Sequence, residues 1–213
     1  MAITHSTPQP ALAILRFDRV QRAAHWANAA LFGVLMATAL PLYFGSLFGI
    51  VLQRHVIEMI HLWSGLALPV PIVVSLLGPW GHQMRRDVRR VNYWTRQEIR
   101  WMMTTGKTPL KADKFNPGQK LNAIFIGASI VVLLVTGAML QWFRFFPVTW
   151  RTGATFVHDV FAWAVFVVVF GHIVMAVTHR DSLKSMFTGR ISGAWARANA
   201  ASWLEERPLV DGP

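Results

Sequence analysis

The chain contains no cysteine. That absence excludes disulfides, thiolate zinc sites, cysteine-ligated iron–sulfur clusters and covalently attached c-type haem, so any metal or haem must rely on His, Met or oxygen donors. Acidic residues are also scarce, ten against 21 Lys and Arg, for a formal charge of +11 over 213 residues. Nor does the start resemble a signal peptide: residues 1–9 lack a charged n-region and no convincing cleavage site follows, so the first apolar run is expected to stay in the mature protein.

What the chain has instead is apolar surface. Hydrophobic residues make up 54% of it and tryptophan occurs ten times, more than soluble domains usually tolerate. A hydrocarbon core of about 30 Å needs roughly 20 helical residues. Four stretches qualify, at about 23–44, 55–77, 121–143 and 154–178. Pro69 and Pro71 interrupt the second, which neighbouring helices can tolerate by satisfying the freed carbonyls. The expected fold is all-α: an integral membrane four-helix bundle, with no internal repeat in evidence.

The basic residues fall between these runs. All but Arg54, Arg144 and Arg151 lie before the first span, between the second and third, or after the fourth. The positive-inside rule then places both termini in the cytoplasm. The basic loop reads as a topology signal touching anionic lipid, not as a nucleic-acid site. Its 94–103 stretch suggests a short interfacial helix, and 182–206 an amphipathic helix on the cytoplasmic face. The organisation is a cytoplasmic arm (1–22), a four-span domain (23–178) and a cytoplasmic tail (179–213).

Topology also sorts the eight histidines. His5, His55, His82 and His179 lie outside the spans or at their mouths and read as solvated. His25, His61, His158 and His172 lie within or at the edge of spans, where ionisable side chains are expensive and usually face the bundle interior. His158 and His172 are fourteen residues apart, about 21 Å along a helix axis and within about 40° of one face. Depth pairs His61 with His158 outside and His25 with His172 inside, implying two metals, one above the other. Two imidazoles on facing helices can clamp a haem edgewise without cysteine. Small residues one turn from each ligand, Ala29, Gly65, Ala162 and Ala176, leave space for a flat macrocycle. A bare transition-metal site would gather three or four ligands, often with carboxylates, and the spans hold chiefly Glu58 and Asp159.

The motifs "FDRVQRAAHW", "MIHLWSG", "KFNPGQK" and "SLKSMFTGRISGAWA", with the paired His158 and His172, resemble the cytochrome b (gamma) subunit of membrane-bound respiratory formate dehydrogenases, within the wider dihaem four-helix cytochrome b family. The resemblance covers almost the whole chain. It implies two haem b groups, with His25 and His172 ligating the inner and His61 and His158 the outer. It implies a quinone site formed in part by Asn116, Gly118 and Gln119, where the residues alone read as a helix-start turn. Arg22 and Arg151 are candidates to pair with haem propionates.

The implied partners are an iron–sulfur subunit on the outer face and a molybdenum or tungsten catalytic subunit, with membrane lipid around the bundle and higher assembly of the complex left open. The implied location is the bacterial inner membrane. The chain would then be a quinone-reducing electron-transfer subunit, with the substrate-oxidising site on another chain. Alternative readings keep the haems and change the donor, to a nickel–iron hydrogenase or another molybdoenzyme. Further off are a stand-alone superoxide–quinone cytochrome and a haem-free anchor or transporter.

Overall fold

Four long apolar helices dominate the computed structural model, which describes residues 13–45 and 53–206. The first, α1 (Arg19–Tyr43), starts at a reciprocal capping box: Gln21 N donates to Asp18 Oδ1 at 2.8 Å and Asp18 N to Gln21 Oε1 at 3.1 Å. The second span is α2 (Arg54–Ala67) followed by α3 (Val70–Leu77), broken at Leu68–Pro69 as the two prolines require. The third is α6 (Pro117–Gln141), with Pro117 at its first position. The fourth, α7 (Val148–Thr178), follows a 3₁₀ turn at Phe143–Phe145.

Between the second and third spans lie α4 (His82–Asn92) and α5 (Arg96–Met103), the latter opened by a second capping box, Thr95 with Glu98. The helix expected at 94–103 forms as α5. After α7 the chain continues through α8 (Arg180–Thr188), a short strand β2 (Arg190–Ser192), α9 (Gly193–Asn199) and α10 (Ala201–Glu205). Strand β2 pairs antiparallel with β1 (Ala13–Leu15), Ile14 opposite Ile191. The segments before α1 and after α8 thus meet at one end of the bundle, called here the tail end.

The tail is not one continuous amphipathic helix, because the chain turns at Gly189 where it meets the segment before α1. Gly189 adopts φ 80°, and a Cβ there would lie 2.5 Å from the Phe17 carbonyl oxygen, so only glycine fits. Its own carbonyl accepts from the backbone N–H groups of Arg16 and Phe17, turning the chain into β2. Ile191, Ala196, Ala200 and Trp203 then form a small apolar core with Ile14 packed against it.

Helix α1 packs along α2 and α3, and α6 along α7, making two hairpins side by side. At the tail end the hairpins are joined by buried polar contacts. Asp87 on α4 accepts from Lys114 Nζ and, at 2.5 Å, from Gln21 Nε2 on α1. Arg16 donates to the Lys114 carbonyl at 3.2 Å and lies over the Trp195 ring. Burial lowers the Arg16 guanidinium to about 10, against the pull of Asp87. Lys120, at the start of α6, is enclosed by Glu98 and the Tyr93 carbonyl. Elsewhere the spans present Val, Ile, Leu, Phe and Trp outward, as a lipid-facing surface does.

Candidate haem sites

Two imidazole pairs bridge the hairpins. His25 on α1 faces His172 on α7 with ring centroids 6.2 Å apart. His61 on α2 faces His158 on α7 at 6.5 Å. These are the pairs expected from depth, the first at the tail end and the second at the far end. A single helix, α7, contributes to both because fourteen residues bring its histidines back to nearly one face.

The spacing fits a metal held between two rings. Two metal–nitrogen bonds of about 2.0 Å, each with about 1.1 Å from nitrogen to ring centre, give about 6.2 Å between centroids in a linear arrangement. Both observed separations lie close to that figure. A direct ring-to-ring hydrogen bond would bring the centroids nearer. Among the described residues no three His, Asp or Glu side chains gather as a metal cluster, so the donor set suits an iron whose other ligands come from a macrocycle.

Which nitrogen faces inward is fixed at the far pair. His61 Nδ1 lies 2.9 Å from Thr38 Oγ1, and His158 Nδ1 lies 2.9 Å from Thr136 Oγ1. The Nδ1–Cε1 edge of His158 also rests against Gly137, where a Cβ would stand 3.3 Å from Cε1. Both outward nitrogens are therefore engaged on their own hairpins, leaving each Nε2 for a ligand. Thr38, Thr136 and Gly137 did not stand out from the sequence. A signal was present: "VLMATA" at 34–39 and "VLLVTG" at 132–137 share Val-Leu, then Thr and a small residue, near the end of each ascending helix.

The remaining expected site residues take clear positions. Asn116 and Gln119 form a third capping box, with Gln119 N to Asn116 Oδ1 at 2.9 Å and Asn116 N to Gln119 Oε1 at 3.1 Å. Both are exposed at the tail end with Gly118 between them, and neither side-chain NH2 group has a hydrogen-bond partner among the described residues. Arg22 is occupied by the Phe187 and Asp18 carbonyls, stitching α1 to α8. Arg151 lies over the Phe143 ring, with its Nε buried and without a hydrogen-bond partner among the described residues.

Asn28, one turn past His25, donates to the Leu68 carbonyl at 2.9 Å. It thereby serves the acceptor freed by the break before Pro69. His55 and His82 are exposed near helix starts, and His179 caps α7 beside the Met175 carbonyl. His5 lies outside the described residues.

Comparison with known proteins finds membrane cytochromes b. The cytochrome b556 subunit of a Haemophilus influenzae formate dehydrogenase is 24% identical over 204 residues, covering 92% of this chain and 84% of that protein. Two Escherichia coli relatives cover 91% of the chain: the cytochrome b556 subunit of the nitrate-inducible formate dehydrogenase at 24% identity, and that of a second formate dehydrogenase at 25%. The family model for prokaryotic cytochrome b561 matches residues 16–189, which contain all four spans and both imidazole pairs, and the chain belongs to that family of multi-pass, haem b-binding membrane proteins.

Proposed function

We propose that this chain is the dihaem cytochrome b subunit and membrane anchor of a respiratory formate dehydrogenase. It carries electrons from an iron–sulfur subunit on the outer face to a membrane quinone near the cytoplasmic face of the bacterial inner membrane. The observation that carries the reading is the two facing imidazole pairs, about 21 Å apart along α7. The formate dehydrogenase subunits among its relatives support the choice of complex.

In this reading His61 and His158 hold the outer haem, and His25 and His172 the inner. When bound, haem b supplies reversible one-electron chemistry between ferric and ferrous iron. The chain's own work is to fix the imidazoles, exclude water with the apolar helices, and present donors to the quinone. The NH2 groups of Asn116 and Gln119, flanking Gly118, suit a quinone carbonyl. In this reading the tail end is cytoplasmic, an orientation supported by the basic residues of α4, α5 and the tail. Moving negative charge inward opposes a potential that is negative inside, at about 2.3 kcal/mol per charge per 100 mV, so donor oxidation is stored as membrane potential. The substrate-oxidising molybdenum or tungsten site lies on another chain.

The test is to purify the intact complex, count haems and assay formate, hydrogen and sulfur donors. Two b haems, formate-dependent quinone reduction and loss of one haem signal in His158→Ala are expected. Retention of both signals in that variant overturns the outer ligand set, and activity with hydrogen but not formate overturns the choice of complex.

A further inference from the structure

Thr38 and Thr136 make the same contact twice. Each hydroxyl lies 2.9 Å from the Nδ1 of a far-end histidine, and 2.8 Å from the carbonyl four residues back on its own helix, Val34 or Val132. A hydroxyl has one proton. Inside a helix that proton goes to the i−4 carbonyl, so the oxygen meets the imidazole with its lone pairs and each Nδ1–H must donate. That fixes the tautomer in which Nε2 is the unprotonated, metal-binding nitrogen. Donating to a carbonyl also makes the hydroxyl oxygen a better acceptor, because chained hydrogen bonds polarise one another. Among the described residues, His25 and His172 have no such side-chain partner.

We propose that Thr38 and Thr136 are positioning residues that lower the reduction potential of the outer haem relative to the inner one, biasing electrons inward. An acceptor on Nδ1–H draws the proton away from the ring and makes the imidazole more electron-donating at Nε2. More electron-rich axial ligands favour ferric over ferrous iron, which lowers the potential. Two such ligands act on the outer site together, on opposite sides of it. The asymmetry points electrons away from the donor and toward the quinone end. The inference rests on the outer ligand set proposed above, and its test separates the two.

The experiment is a spectroscopic redox titration of the intact complex carrying Thr38→Val, Thr136→Val, or the serine variant at either position. The outer signal is the one that His158→Ala removes. Each valine variant is expected to raise the midpoint of that signal alone, by about a tenfold change in ferric-to-ferrous ratio at fixed ambient potential, or 59 mV for a one-electron couple. The inner midpoint stays in place. Serine, which keeps the hydroxyl and loses only a methyl, holds the wild-type midpoint. Loss of the outer haem from valine but not serine variants is the stronger form of the same result.

An unmoved outer midpoint, a shift of the inner one, or equal loss of haem from valine and serine variants overturns the proposal. Failure of His158→Ala to remove a signal overturns the ligand set instead.

Discussion

Lys120 and Glu98 form an ion pair shut away from water, with Nζ 2.6 Å from Oε1 and the two residues 1% and 3% exposed. Glu98 also completes the Thr95 capping box through its other oxygen. Glu98→Gln can keep that cap while stranding a buried ammonium beside the Tyr93 carbonyl. Removing one partner of a buried pair costs roughly 3–5 kcal/mol. Thermal unfolding in detergent should show such a loss for Glu98→Gln and recover much of it in Glu98→Gln/Lys120→Met. Equal destabilisation in the single and double variants would show that the pair itself is not what matters.

Asn28 spans the gap left by the proline break, donating to the Leu68 carbonyl. Inter-helix hydrogen bonds in membranes contribute about 0.6 kcal/mol on average and up to about 1.7. Asn28→Ala is expected to lose stability within that range, as measured by unfolding in mixed detergent. Asn28→Gln, with a longer arm, should not restore it.

Gly137 and Gly127 offer a matched comparison on α6. A methyl at Gly137 would press on His158 Cε1 at 3.3 Å, whereas one at Gly127 would meet nothing within 4 Å. Low-temperature absorption spectra of Gly137→Ala should show one perturbed haem signal, while Gly127→Ala matches the wild type. Two unperturbed spectra would mean that the His158 ring has room to give.

Burial pushes the Asp87 carboxyl above its ordinary value of 3.8, while Lys114, Gln21 and Arg90 pull it back. A carboxyl that binds its proton more tightly when folded contributes most below its unfolded value. That contribution is lost as pH rises through the folded value. The stability difference between wild type and Asp87→Asn should therefore vary with pH only from about 3.8 up to that raised value, and stay constant above it. Thermal unfolding of both proteins across a pH series checks this, and parallel curves throughout would contradict it.

The parts of this architecture that repeat with helical period were legible in the sequence. Span positions, the break at Pro69 and the pairing of four histidines follow from run length and residue spacing. The residues around the histidines were harder to see, because Thr38 and Thr136 inside apolar runs look like ordinary helix positions. Their role depends on a hairpin partner 23 and 22 residues away.

The basic loop hid more. Read as a lipid-facing topology signal, it also contains Lys114 and Lys120, which are buried on Asp87 and Glu98. No local pattern announces ion pairs that close across 27 and 22 residues. In the tail, a helix-favouring composition masked the left-handed turn at Gly189, which depends on the approach of Phe17 from the other end of the chain.

The pairing of β1 with β2 joins residues 13–15 to residues 190–192. The first of these is made before any span and the second after all four. The clasp can therefore close only after all four spans have been made, and it adds a backbone tie between the two chain segments to the side-chain contacts of Gln21, Asp87 and Lys114 that already join the hairpins.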